Sequence, residues 1–171
     1  MRKRREARER AVQFLFQYDL NPPENLAAAL DQFWEAQRTN AAQEKHPGAR
    51  WGERLDVPPP SPEDLAMRLF ADSLITGVIT HLAETDEIIR KFTMNWELNR
   101  LAVVDRNVLR LAIFEMNHRD DIPPVVSINE AVDIAKKFST DQSGKFVNGI
   151  LDKVKDNILR PARTAKMPDA N

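Results

Sequence analysis

Apolar residues recur along this chain at intervals of three and four, the spacing of one helix face, and no segment alternates in the manner of a half-buried strand. The pattern predicts an all-α protein. A first helix is expected from about Arg5 to Leu20. A second should follow Asn21 as its cap, with Pro22 in its first turn, and should fade near Arg38.

Three more helices are predicted in the middle of the chain. The spacing favours a long helix from Ser61 to Leu82 and a shorter one that contains Phe92. Another should run from about Leu101 to Met116, before Pro123 and Pro124 interrupt the pattern.

Two further helices close the predicted set. Ser127 and Glu130 have the spacing of a capping box and predict the start of the first. Asp141 or Ser143 is expected to cap the second, and Gly149 lies inside it. A glycine there costs roughly 1 kcal/mol relative to alanine, which suggests that another backbone approaches closely. The expected buried stripe of this helix is Phe146 or Val147, Ile150, Leu151, Val154 and Ile158.

Composition changes between Thr39 and Pro60, where polar residues give way to three consecutive prolines. This segment is predicted to be a long linker, with Trp51 holding it to the surface. The expected organisation is a single domain, 1–171. It comprises an N-terminal helical subdomain at 1–82 with the linker at 39–60, a C-terminal helical subdomain at 83–160, and a flexible tail at 161–171.

The composition indicates a folded protein with a substantial core, since 42% of the 171 residues are hydrophobic. The absence of cysteine excludes disulfides, thiolate metal ligands and a cysteine nucleophile, and it fits a reducing cytoplasm. No signal peptide and no apolar run of membrane-spanning length is seen, so we expect a cytoplasmic protein without a membrane partner.

Positive charge is concentrated at the N-terminus, although the net charge is -1. On a helix, Arg5 can pair with Glu9, and Glu6 with Arg10. The basic residues expected to lack local partners, and so to be free for phosphate, are Arg2, Lys3, Arg4 and Arg8. Positive charge at a helix start opposes the helix dipole, a penalty that a bound polyanion would reverse. The alternative is a frayed, solvated terminus.

Several segments resemble the NusB family of transcription antitermination factors. They are VSINEAVDIAKKFS (Val126 to Ser139), KFVNGILDKV (Lys145 to Val154), RREARERAVQFLFQYDL (Arg4 to Leu20), VVDRNVLRLAIFEM (Val103 to Met116) and DIPPVVSINEA (Asp121 to Ala131). The resemblance implies two small helical bundles, with about three helices in the N-terminal bundle and about four in the C-terminal one.

The resemblance also implies a function. Members of the family bind the boxA element of nascent or ribosomal RNA, best as a heterodimer with NusE, a small-subunit ribosomal protein. The expected partners are therefore boxA-type RNA, NusE and the transcription elongation complex, in support of ribosomal-RNA synthesis. Some members self-associate, which leaves a homodimer of the free chain open.

Carried over by position, the resemblance implies two RNA-contacting regions. They contain Arg4, Arg5 and Arg8 in the first, and Gln142, Ser143, Lys145 and Phe146 in the second. Arginine and lysine would supply phosphate affinity, while Phe146 could stack on an unpaired base. The alternative for Phe146 is burial in the core.

The surface facing NusE would contain Phe16, Phe92, Asp105, Arg106 and Arg110. The alternatives are core packing for the two phenylalanines and an ordinary solvated helix face for Asp105 and Arg106.

The chain departs from the family pattern at Gln142 and Gly144, where an acidic residue and a histidine are common. Loss of an acidic group beside RNA should ease the approach of phosphate. We therefore expect a higher RNA affinity without the partner than is usual for the family.

The sequence also bears on two other classes of function. A NusB-like domain also occurs in ribosomal-RNA cytosine methyltransferases, but this chain has no cysteine and its five glycines form no cofactor loop. His46, His81 and His118 show no metal-ligand spacing, so no catalytic, cofactor or metal residues are predicted. The remaining alternative is a helical protein-protein adaptor. It leaves the basic start unexplained, and salt dependence of RNA binding distinguishes it.

Overall fold

The computed structural model describes residues 2–94 and 97–164, with side chains described through residue 158. The described part forms seven α-helices and no strand, which confirms the all-α prediction. The helices are α1 Arg2–Leu20, α2 Leu26–Lys45, α3 Pro62–Thr80, α4 Leu82–Phe92, α5 Val103–His118, α6 Pro124–Phe138 and α7 Asp141–Thr164. The predicted tail lies outside the described residues from position 165 onward.

The chain divides into two compact units, unit 1 at Met1–Ser73 and unit 2 at Leu74–Asn171. The boundary falls inside α3, whereas the sequence placed it between residues 82 and 83. Unit 1 therefore contains α1, α2 and the first part of α3, and unit 2 contains the rest of α3 with α4 to α7.

Aromatic packing between α1 and α2 forms much of the core of unit 1. The rings of Phe14 and Phe33 meet edge to face at 5.4 Å, and Phe33 meets Trp34 in the same way at 5.4 Å. The buried indole of Trp34 donates a hydrogen bond from Nε1 to Asp72 Oδ1 at 2.8 Å. This bond satisfies the polar atom of a large core side chain.

The bounds of α2 differ from the prediction at both ends. Asn25, not Asn21, is the cap, and its side chain accepts a hydrogen bond from the Ala28 backbone N–H at 3.0 Å. The helix continues past Arg38 because the polar residues that follow are mostly good helix formers. The connection to α3 is therefore shorter than predicted. Trp51 within it is fully exposed, so the prediction that it holds the segment to the surface is wrong.

The predicted restart at Ser61 is confirmed by a reciprocal cap at the start of α3. The Asp64 N–H donates to Ser61 Oγ at 3.1 Å, and the Ser61 N–H donates to Asp64 Oδ2 at 3.2 Å. The hydrogen bond from the Ser61 hydroxyl is the largest of the effects that lower the pKa of Asp64.

Unit 2 is built around α5, in which every residue from Asp105 to Met116 is buried. Helices α4, α6 and α7 all pack against α5, and α6 and α7 pack on each other. The Phe114 ring lies on Gly77 in the last part of α3, where an added Cβ would stand 2.0 Å from Phe114 Cζ. This close approach requires glycine at position 77.

The starts of α6 and α7 also differ from the prediction. Helix α6 begins at Pro124, whose fixed φ suits a first turn, and Ser127 lies within the helix. The capping-box prediction is wrong because the Ser127 hydroxyl instead donates to the buried Glu115 Oε2 at 2.6 Å. At α7, Thr140 Oγ1 accepts from the Ser143 N–H at 3.1 Å and takes the capping role expected of Asp141 or Ser143.

The apolar stripe of α7 follows the predicted spacing. Val147, Ile150, Leu151 and Val154 are buried, while Phe146 and Ile158 are half-buried. Gly149 is exposed, and an added Cβ would meet nothing within 4 Å. The predicted close approach of another backbone at Gly149 is therefore wrong.

The start of α4 lies beside the end of α5. His81 and His118, whose positions in the sequence showed no metal-ligand spacing, stack with ring centroids 3.9 Å apart, and Glu84 lies between their ring nitrogens. The fold thus brings together residues that the sequence keeps far apart.

Among the described residues, no single helix is long and apolar enough to cross a membrane. Within the described ranges, α3 and α4 are the one pair that reaches that length and composition together, and they are bent by 73° at their junction.

Gly77 and Gly149 should respond oppositely to substitution by alanine. Gly77→Ala should lower the free energy of unfolding by about 1–3 kcal/mol because the new methyl group overpacks against Phe114. Gly149→Ala should raise it by about 0.5–1 kcal/mol, because its site is open and alanine favours the helix. Urea unfolding of both variants tests this. Equal effects of the same sign would contradict the packing described for Phe114.

Candidate nucleic-acid interface

The first turns of α1 carry a dense positive charge. Residues 2 to 5 are all basic and exposed, and the first turn contains no acidic residue. Free N–H groups at a helix start add to this positive potential. Arg4 and Arg5 are therefore placed where a phosphate group can approach from solvent.

Two basic residues of α1 are less available than the sequence suggested. Lys3 Nζ contacts Asp64 Oδ1 at 3.4 Å and Glu6 Oε2 at 3.7 Å. Arg8 is only 4% exposed, and its guanidinium lies 5.4 Å from the centre of the Phe70 ring. The expectation that these residues lack partners is therefore wrong, since internal contacts satisfy them.

Arg4 lies over the same Phe70 ring at 5.1 Å but stays exposed. The ring thus supports two guanidinium groups, one buried and one facing solvent. Arg8 holds Phe70 within unit 1, and Arg4 presents its charge outward.

The second predicted region lies at the first turns of α7. Gln142 and Lys145 are exposed, and Phe146 is half-buried. Part of the Phe146 ring therefore packs in unit 2, and part stays accessible. The ring is neither fully exposed for stacking nor completely buried in the core. The arginines of α1 belong to unit 1, and these residues belong to unit 2.

Ser143 is buried, in contrast to Gln142 and Lys145. Its hydroxyl donates to Asp105 Oδ2 at 3.1 Å and lies 2.9 Å from Ser139 Oγ. A hydroxyl held in this way is already satisfied. Ser143 therefore fixes the first turn of α7.

Gly144, which has no side chain, leaves space for a basic side chain that the sequence pattern did not indicate. An added Cβ at Gly144 would stand 2.7 Å from Lys136 Cγ and 2.9 Å from Lys136 Cε. The side chain of Lys136, which is exposed, therefore lies against the first turn of α7. The packing of α6 on α7 brings Lys136 to the turn that also carries Lys145.

Asp105, expected on a partner surface or a solvated face, is buried in the first turn of α5. Its Oδ1 has no hydrogen-bond partner among the described residues. Burial raises the pKa of the Asp105 carboxyl, and the hydrogen bond from Ser143 opposes this rise only in part. Asp105 thereby links the start of α5 to the start of α7.

The solvated-face alternative is also wrong for Arg106, and Arg110 is buried as well. Arg106 Nη1 donates to the Leu98 carbonyl at 2.8 Å. Arg110 forms a two-point ion pair with Asp86, with Nε to Oδ1 at 2.7 Å and Nη2 to Oδ2 at 3.0 Å. These guanidinium groups hold α4 and the turn before α5 against α5 itself.

Phe16 and Phe92 are both half-buried, so each keeps some accessible ring surface. Phe92 ends α4, and Lys91 Nζ lies 5.6 Å from the centre of its ring. Of the residues predicted to face a partner, these two phenylalanines offer accessible apolar area. The charged ones, Asp105, Arg106 and Arg110, are hydrogen-bonded within unit 2.

Comparison with known proteins identifies a family. A sequence model described as the NusB family matches residues 5–156. A transcription antitermination protein NusB from Desulforamulus reducens is 43% identical over 154 residues, which cover 90% of this chain and 90% of the relative.

Solved structures agree in fold. T. maritima NusB superposes with a TM-score of 0.67 and 35% identity, covering 90% of both chains. A crystal structure of the antitermination factors NusB and NusE in complex with dsRNA matches with a TM-score of 0.66 and 27% identity, covering 92% of this chain and 98% of that one.

The buried Asp105 carboxyl should give a distinctive dependence of stability on pH. Because the pKa of Asp105 is raised in the folded state, the folded protein holds this proton more tightly than the unfolded chain. The contribution of Asp105 to stability should therefore fall as pH rises above its ordinary pKa of 3.8. Asp105→Asn still accepts from Ser143 but cannot ionise, so it should remove that fall.

The measurement is urea unfolding of wild type and Asp105→Asn from about pH 4 to about pH 7. The unfolding free energy of the variant relative to wild type should increase with pH. Asp56→Asn, at an exposed position, is the control and should show no such trend. A difference for Asp105→Asn that is independent of pH would mean that the carboxyl is not desolvated.

Proposed function

Because the chain belongs to the NusB family of transcription antitermination factors, we propose that it binds boxA-type single-stranded RNA together with NusE. In this role it acts within the transcription elongation complex, in the cytoplasm, and supports the synthesis of ribosomal RNA. Membership of the family makes the chain a transcription factor rather than an enzyme.

The observation that carries the RNA-binding proposal is the exposed basic start of α1. Arg4 and Arg5 are exposed on a turn that contains no acidic residue. Such a turn stabilises an anion and is itself weakened by its own positive charge, so binding of a phosphate backbone relieves an unfavourable feature of the free protein. The related structure of NusB and NusE in complex with dsRNA supports RNA binding in general, and the single-stranded form of the RNA is part of our proposal.

The start of α7 supplies the second proposed contact. Lys145 and Lys136 provide positive charge, and Gln142 provides an amide that can hydrogen-bond to a base edge. The accessible part of Phe146 can stack on an unpaired base. Ser143 contributes by fixing the first turn of α7, because its hydroxyl is hydrogen-bonded to Asp105.

For NusE we propose two separate contacts, Phe16 in unit 1 and Phe92 in unit 2. Asp105, Arg106 and Arg110 of unit 2 are proposed as positioning residues. The two rings keep accessible apolar area, whereas the three charged groups are buried. A partner that contacts the start of α5 would act on the first turn of α7 through the bond between Asp105 and Ser143. This bond offers a physical route by which NusE strengthens RNA binding.

Charge reversal at the start of α1 should weaken all RNAs alike. In the Arg4→Glu/Arg5→Glu variant, we expect at least about a tenfold loss of affinity for boxA and scrambled RNA, because phosphate contacts carry little sequence information. The slope of log affinity against log salt should fall by about two. Fluorescence anisotropy across a salt series measures both quantities.

The matched control is Arg50→Glu/Arg54→Glu, which makes the same change of net charge at exposed positions in the connection before α3. It should bind RNA as wild type does. If Arg4→Glu/Arg5→Glu weakened boxA alone, the division between phosphate and base contacts would be wrong. If it changed nothing, the adaptor alternative would gain over RNA binding.

Adding an acidic group at the start of α7 should oppose RNA without harming the fold. Gln142→Asp places a negative charge where a phosphate is expected, and we predict several-fold weaker boxA binding in the absence of NusE. The same charge is favourable at a helix start, so the thermal stability should not fall. The control, Asn148→Asp, adds the same charge at an exposed position more than one turn further along α7. It should bind RNA like wild type. Undiminished binding by Gln142→Asp would refute the proposed contact.

A further inference from the structure

Three side chains with metal-binding atoms meet at the junction of α4 and α5. His81 Nδ1 lies 3.2 Å from Glu84 Oε2, and His118 Nε2 lies 3.1 Å from the same oxygen. One ligand atom from each residue falls within 4.8 Å of the other two. We propose that His81, Glu84 and His118 bind one divalent transition-metal ion of the zinc type, with water completing its coordination.

The distances suit a small tetrahedral ion. With metal–ligand bonds of about 2.0–2.1 Å, two ligand atoms of a tetrahedron are separated by about 3.3 Å. Both nitrogen–oxygen separations at Glu84 already lie close to that value. The histidine nitrogens must draw closer, and a rotation of one imidazole out of its stacked position accomplishes this. All three side chains are partly accessible, which permits the rotation.

The surroundings of the cluster orient these ligands. The Phe114 ring stacks on His81 at 5.8 Å and on His118 at 5.4 Å, so the two imidazoles share one apolar support. Asn117 Nδ2 donates to Glu84 Oε1 at 3.4 Å. The imidazole that keeps its stacked position and the bonded Glu84 carboxylate therefore lose less freedom when a metal binds.

The donor set determines the class of ion. Two imidazole nitrogens and one carboxylate oxygen suit zinc, nickel or copper, whereas magnesium and calcium prefer oxygen ligands throughout. Zinc with three protein ligands keeps an open position for water.

The ion would join the start of α4 to the end of α5. His81 and Glu84 stand at the N-terminal end of α4, and His118 is in the last turn of α5. His118 is distant in sequence from the other two ligands, so an ion that binds the folded chain and not the unfolded chain should stabilise unit 2.

The test is calorimetric titration of the full chain, without a histidine tag and stripped with chelator, with zinc chloride. Wild type should bind one zinc ion per chain. His118→Ala and Glu84→Gln should bind at least about tenfold more weakly, because each removes one of three ligands. His46→Ala removes a histidine at an exposed position outside the cluster and should bind like wild type.

Thermal unfolding provides a second reading on the same proteins. Saturating zinc should raise the unfolding temperature of wild type and His46→Ala but not that of His118→Ala. Circular dichroism establishes that each variant is folded before titration. Zinc affinity that is unchanged in both cluster variants, or lost in His46→Ala, would overturn the proposal. Binding that requires millimolar zinc would overturn it as well.

Discussion

The packing of unit 2 depends on burying α5 on all its sides from Asp105 to Met116, although the helix carries several polar and charged residues. A buried polar group without a partner costs about 1–3 kcal/mol, so each such residue needs a hydrogen-bond partner. Glu115 accepts from Ser127 of α6, Arg110 pairs with Asp86 of α4, and Asp105 accepts from Ser143 of α7. These bonds fix three helices in register against one.

The register of α7 has the most direct consequence for RNA binding. Ser143 is held by Asp105, and the exposed Gln142 and Lys145 lie on either side of it in the chain. Their positions therefore follow from a buried contact rather than from the surface. The environment of Asp105 is unfavourable, as indicated by its raised pKa and by its Oδ1, which has no hydrogen-bond partner within the part of the chain that the structure describes.

Helical periodicity predicted the all-α fold and most of the core, because apolar spacing directly records which helix face is buried. The solvated helix face, given as the alternative for Asp105 and Arg106, was wrong. A charged residue on an amphipathic pattern indicates a solvated face unless its partner is known, and their partners lie on α7 and in the turn before α5. Ser127 shows the same limit. Its spacing from Glu130 is that of a capping box, but its hydroxyl donates to Glu115 instead.

The residues of the candidate site were predicted from the resemblance to the NusB family. The structure adds their contacts in the fold, which one sequence cannot provide. Arg4 and Arg8 look equivalent along the chain, yet only Arg4 stays exposed over Phe70. Lys136 becomes a candidate through its contact with Gly144, and His118 meets His81 only in the fold. These relations depend on contacts between helices and leave no periodic signal in the sequence.

The central claim is that the chain recognises boxA RNA jointly with NusE, and wild-type binding measured by fluorescence anisotropy tests it most directly. Labelled boxA single strand, a scrambled strand and a double-stranded control are each titrated with the protein, with and without NusE, across a salt series. The account predicts selective binding to boxA that tightens with NusE and weakens steeply with salt. Equal, weak binding to all three RNAs that NusE leaves unchanged would contradict it.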